Sequence, residues 1–226
     1  IDIPSQAIGK IAGPIISKSF NDNNHEEIQL IYIKGSINSL NVGMLIFLGI
    51  WFNLDAIISL SSKPEAFFGA TQIFLFLGIA KLIDGLTGIN THILLYSKYY
   101  KFNLLFLLCL GVLNVFLNLV LIKQYDIAGA AMATLISLTL YNLIKLFFIK
   151  FTLDMSPFTL DTLKVLLIGV MVFGLLFILP MPDSVVLGIL LRSILISVLF
   201  IGSIYWSKAS IDFNSLVDKY RKIIIR

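Results

Sequence analysis

Long uninterrupted apolar runs alternate with short polar breaks along the whole chain. A membrane helix needs roughly 20 mostly apolar residues, because each advances about 1.5 Å through a hydrocarbon core of about 30 Å. Six stretches meet that length: 37–60, 66–96, 102–122, 127–149, 163–179 and 184–206. The breaks between them are Ser61-Ser62-Lys63-Pro64, Ser97-Lys98, Lys123-Gln124-Tyr125-Asp126, Met155-Ser156-Pro157 and Pro180-Met181-Pro182-Asp183. Proline stops a helix at such junctions by removing a donor and clashing with the preceding turn. Residues 1–20 are apolar but interrupted by Pro4, Lys10 and Pro14, which predicts the end of an earlier helix rather than a full span. NDNNHEE (21–27) predicts a polar loop, and 208–226 an amphipathic, charged tail at the membrane surface. The runs do not alternate with the period of two that barrel strands need. The expected fold is therefore all-α: a polytopic helical membrane protein of about six full transmembrane helices plus the end of an earlier one.

Composition strengthens this reading. Hydrophobic residues make up 58% of the chain and charged residues 13%, the latter about half of the roughly 25% usual in soluble domains. The connections are short, which leaves no room for a catalytic module outside the membrane. HExxH, GxSxG and the phosphate-cradling GxxxxGK[ST] do not occur. No basic arm or aromatic-rich face suggests nucleic acid, and His25 and His92 are isolated. Cys109 is the one cysteine, so no disulfide or cysteine metal site can form within the chain, and a packing role is expected. We expect no enzyme, no metal and no cofactor. The chain starts at Ile1 rather than Met, without a signal sequence, so a preceding portion is expected.

Charge gives orientation. Counted through alternate loops, one side holds Lys18, Lys34, Lys98, Lys101, Lys150 and Lys164, then Lys208, Lys219, Arg221, Lys222 and Arg226. The other holds Lys63 and Lys123 with Glu65, Asp126 and Asp183. Because Lys and Arg are retained on the cytoplasmic side of short loops, a cytoplasmic C-terminus is expected.

The candidate chemistry lies inside the spans, where a charge costs about 2.5–3.5 kcal/mol on insertion scales and persists with a partner or a watery cavity. Lys81 and Asp84 are three positions apart on one helix face, which Thr87, Gly88 and Thr91 continue, with Asn90 and His92 flanking it. Two readings stand side by side: an internal ion pair that helps helices pack, or a polar cavity wall. On the second, Lys81 meets an anionic group, or Asp84 binds a proton or cation. Asn114 and Asn118, one turn apart, read first as interhelical hydrogen-bond glue and second as cavity-lining residues. Arg192 is expected to snorkel to the nearer interface, and Lys145 to be an interfacial anchor. Gly129–Thr134 forms a small-residue face for close helix contact, while Gly85 and Gly88 can loosen their helix locally.

Several stretches carry a resemblance: LGIAKLIDGLTGIN, then ILLYSKYYKFNLLF, then NVFLNLVLIKQYDIAGAAMATLISLTLYNLIKLFFI, and later SPFTLDTLK. In the block 114–145, a helix rich in Asn, Leu and Ile meets a loop of the form Y-x-I-x-G-A-A and then a helix carrying A-T-x-I-S. Together with the opening IPSQAIGKIAGPIISKSFND, these resemble the C-terminal half of MOP-superfamily oligosaccharide flippases, the Wzx-type polysaccharide biosynthesis proteins of bacteria. The resemblance implies about fourteen membrane helices, in two six-helix lobes around a central cavity, followed by an extra pair. It implies translocation of undecaprenyl-diphosphate-linked sugar units across the bacterial inner membrane by alternating access. On that template residues 1–150 belong to the second lobe, 151–206 to the C-terminal accessory pair and 207–226 to a cytoplasmic tail. The implied partners are the anionic lipid-linked oligosaccharide, the bilayer and an N-terminal lobe of the same protein. This chain alone is then expected not to transport.

Other functions remain open from the sequence. A related MATE-like exporter would use Asp84 as its cation site. A membrane acyltransferase or sugar polymerase would need a His–Asp pair, an Arg cluster or a large extracytoplasmic loop, none of which the sequence shows. A scaffold would leave Lys81 and Asp84 without a purpose.

Overall fold

The computed structural model describes residues 2–179 and 184–224. All the regular structure among them is helical. The helices are α1 (Asp2–Asn21), α2 (His25–Trp51), α3 (Leu54–Ser59), α4 (Ala70–Thr87), α5 (Asn90–Tyr96), α6 (Tyr100–Leu153), α7 (Leu160–Ile178), α8 (Val185–Ser207) and α9 (Ile211–Ile224), with a 3-10 turn at Pro64–Phe67. Among the described residues, five helical runs are long and apolar enough to cross a membrane: α2, Pro64–Thr87, α6, α7 and α8. Their outer faces are what lipid tolerates and water does not, with Val112, Phe116 and Leu119 of α6 exposed by 73%, 61% and 63%. Cys109 is exposed on this same helix.

α6 corrects and explains one sequence expectation at once. Its 54 residues would stretch about 80 Å if straight, far beyond one bilayer. The rod turns back at Asp126, whose φ of 51° and ψ of −134° are not helical. Pairings across the turn run in antiparallel register: Phe102 and Phe106 against Phe148, and Asn114 against Ser137. Gly129 is needed at this corner, since a Cβ there would strike the Leu121 carbonyl. The two stretches 102–122 and 127–149 thus lie in separate arms of one hairpin. The break is a single residue rather than a four-residue loop. α6 ends at Asp154, a left-handed residue, where the Lys150 ammonium at 2.6 Å holds the carboxyl below the usual carboxylate range, first by hydrogen bonding and then by its charge.

Helix ends depart most from the sequence reading. α2 starts at His25, not at 37, because Asn24 caps it by accepting from the Glu27 backbone N–H at 3.2 Å. Polar residues at a helix start stay in water and are invisible to an apolar-run search. The expected loop 21–27 shrinks accordingly. At the far end α2 stops at Trp51, where Arg192 Nη1 donates to the Phe52 carbonyl at 3.0 Å. Arg192 therefore fastens α8 to the end of α2 instead of simply reaching for an interface, which offsets an otherwise orphaned carbonyl. α1 runs unbroken through Pro14 and is not one of the five candidate spans.

α2 is central to the packing. One apolar core joins it to α7 and α8 through Leu40, Met44, Phe47, Val172, Ile196 and Phe200. A second joins it to α1, α5 and the end of α6 through Ile16, Ile28, Tyr32, Ile93, Leu94 and Ile149. The loops that the charge count placed on one side meet at one end. Gln29 exchanges two hydrogen bonds with Ser156, a cavity of about 510 Å³ is walled by Asn21, Asn23, His25, Lys98 and Thr152, and Lys34 pairs with Asp212 of α9.

Candidate functional site: a polar cluster at a broken helix

The sequence predicts one helix over 66–96; the structure breaks it. α4 ends at Thr87, and Gly88 takes a φ of +65° and ψ of −129° before α5 begins at Asn90. Only glycine adopts that conformation readily. It also lets the chain lie on α2, where a Cβ on Gly88 would sit 2.9 Å from Ser36 Cα and N. Ser36 Oγ donates to the Leu86 carbonyl at 2.5 Å, so one of the carbonyls freed by the break is bonded by the neighbouring helix.

Side chains around this break meet the second arm of α6. Asn142, fully buried, stands at the middle. Its Nδ2 donates to Asp84 Oδ1 at 3.0 Å, and its Oδ1 accepts from Asn90 Nδ2 at 3.2 Å. The Thr87 hydroxyl lies 3.2 Å from that same Oδ1 and 3.0 Å from the Asp84 carbonyl. One turn on, Lys145 is 0% exposed. Its ammonium donates to Thr91 Oγ1 at 2.6 Å and lies 3.8 Å from the Tyr141 ring centroid, a cation–π contact that is strongest where water is excluded. Thr91 in turn donates to Asn90 Oδ1 at 3.3 Å. The amides and hydroxyls thus form a continuous relay from a carboxylate to an ammonium.

Of the residues singled out from the sequence, Asp84, Thr87 and Thr91 come together here, with Asn90 beside them. Lys81 is half-buried one turn before Asp84 on α4. Asn114 and Asn118 do not join the relay. Asn118 Nδ2 donates to the Asn114 carbonyl and Oδ1 at 2.8 and 2.9 Å, and Asn114 Nδ2 reaches Ser137 at 3.4 Å, so their bonds stay within the α6 hairpin. Lys145 is no interfacial anchor. It is among the most buried large side chains of the chain. The readable signal was the spacing: Tyr141, Asn142 and Lys145 share one face of a mostly apolar arm of α6. Among the described residues no three His, Cys, Asp or Glu side chains gather as metal ligands would.

No family model matches the chain, and no curated protein or solved structure matches it either. The site's own chemistry is one acid and two amines: Lys81 and half-buried Asp84 on α4, just before the break at Gly88, and buried Lys145 on the second arm of α6.

Proposed function

We propose that this chain is the second half of a bacterial flippase, which moves undecaprenyl-diphosphate-linked oligosaccharides across the inner membrane for cell-surface polysaccharide synthesis. The observation that carries the reading is the relay at the Gly88 break, from half-buried Asp84 through buried Asn142 and Asn90 and then Thr91 to buried Lys145. Ionisable groups are expensive in a membrane and cluster where substrate or ions pass. Interrupted helices are where carriers place such sites. The finer substrate class rests on the likeness of residues 77–164 to MOP-superfamily flippases. In this reading α6 crosses twice, giving six crossings, and the basic end with Lys34, Lys98 and α9 faces the cytoplasm.

Binding tests it directly. Purified into nanodiscs, the chain is expected to retain an undecaprenyl-diphosphate oligosaccharide over the matching uncharged polyprenol. Lys81→Ala and Lys145→Met are each expected to weaken that preference by about tenfold or more, the worth of one hydrogen bond to a charged group. In an intact transporter, Lys81→Ala is expected to lower flux while membrane insertion stays normal. Equal retention of charged and uncharged lipids would remove the flippase reading. If instead the chain retained an amphiphilic cation, released by protons or sodium and lost in Asp84→Asn, the MATE-like exporter would take its place.

A further inference from the structure

α9 does not simply float on a surface. It folds back from Lys208, a left-handed residue, and seats the Asp212 carboxylate on α2. Its two oxygens are used separately: Oδ1 lies 3.3 Å from Lys34 Nζ, and Oδ2 accepts from Asn38 Nδ2 at 3.0 Å. Ser210 Oγ donates to Asn38 Oδ1 at 3.0 Å, which turns the amide so that its N–H groups face the anion. An ammonium and an oriented amide donor, side by side, form a receptor for any oxyanion with two free oxygens.

We infer that Lys34 and Asn38 form a phosphate-binding notch, and that Asp212 is a built-in occupant which a phosphate-bearing ligand displaces. Three further features support this. The pair is weakly held, with side chains 44% and 38% exposed, and such pairs are screened by salt and contribute little. Asp161 is the other carboxylate on the groove, which encloses about 80 Å³ with α9 seated, and it is already held by Lys164 at 2.7 Å. It therefore leaves Lys34 to its own anion. One turn beyond Asn38, Asn41 has both amide atoms buried without a hydrogen-bond partner, at a second cavity of about 80 Å³ between α2, Phe200 and Ile204 of α8, and Phe213 of α9. Lys34, Asn38 and Asn41 thus form a polar row along one face of α2, closed by α9. A lysine beside a membrane helix attracts anionic lipid headgroups. The notch is separate from the Asp84–Lys145 relay and does not depend on what the chain transports.

Native mass spectrometry of the detergent-purified chain, titrated with phosphatidylglycerol or phosphatidylcholine, tests the inference. Removing the internal competitor in Asp212→Asn is expected to tighten phosphatidylglycerol binding roughly tenfold, as it should if the notch is open about a tenth of the time. Lys34→Gln is expected to abolish the preference for phosphatidylglycerol over phosphatidylcholine, alone and combined with Asp212→Asn. The two single variants move in opposite directions, which misfolding cannot imitate. Displacement of the lipid by millimolar inorganic phosphate would show that the phosphate suffices; resistance to it would show that the membrane-anchored headgroup is the ligand. Unchanged binding in Asp212→Asn, or an unchanged preference in Lys34→Gln, would overturn the proposal.

Discussion

Asn142→Leu is expected to destabilise the chain by about 3 kcal/mol. The side chain donates to Asp84 and accepts from Asn90 and from the Thr87 hydroxyl, at 3.0, 3.2 and 3.2 Å. Interhelical hydrogen bonds within membranes average about 0.6 kcal/mol, so three of them set a floor near 2 kcal/mol. The loss exceeds that floor because leucine offers nothing to the buried Asn90 amide or to the carboxylate, and stranded polar groups cost about 1–3 kcal/mol each. Unfolding in mixed micelles titrated with dodecyl sulfate and followed by circular dichroism measures it. Asn114→Leu is the control: its link between the arms of α6 is a single 3.4 Å contact, and its loss is expected to stay under about 1 kcal/mol. If the two variants unfolded alike, the relay would contribute nothing beyond a generic polar contact.

Gly88→Ala tests the break itself and is expected to cost about 3–4 kcal/mol. A non-glycine residue at a φ of +65° and ψ of −129° carries about 1–3 kcal/mol of backbone strain. Its Cβ would also stand 2.9 Å from Ser36 Cα and N, which are main-chain atoms and cannot rotate away. Relief means parting α4 from α2 at this point, which also breaks the Ser36–Leu86 hydrogen bond. Gly111→Ala offers the contrast, because nothing lies within 4 Å of its Cβ. There alanine gains about 0.5–1 kcal/mol from better helix propensity. A Gly88→Ala protein as stable as Gly111→Ala would mean that the helix can run straight through residue 88, and the site would lose its defining feature.

The parts of the fold legible in the sequence are those set by local sums. Apolar runs place the interiors of α2, α4, α7 and α8 and of both α6 arms, and the breaks at 123–126 and 155–157 locate two reversals. Helix ends were less legible, because α2 gains twelve residues from a cap at Asn24 whose neighbours are polar. Gly88 was visible as a glycine able to loosen its helix. That it actually breaks the helix depends on Ser36 of another helix lying against it.

By itself, then, the sequence determined which segments must leave water and which polar side chains are carried along with them. Transfer free energy adds up residue by residue along the chain, so hydropathy and loop charge reveal it without any knowledge of contacts. Only the tertiary structure decided which of those polar groups meet. It united Asp84, Thr87, Asn90 and Thr91 with Asn142 and Lys145, left Asn114 and Asn118 to each other, and gave Asp212 to Lys34. A buried polar group is satisfied by partners on other helices, and those partners are chosen by how the helices rotate and where they break, not by their neighbours in sequence.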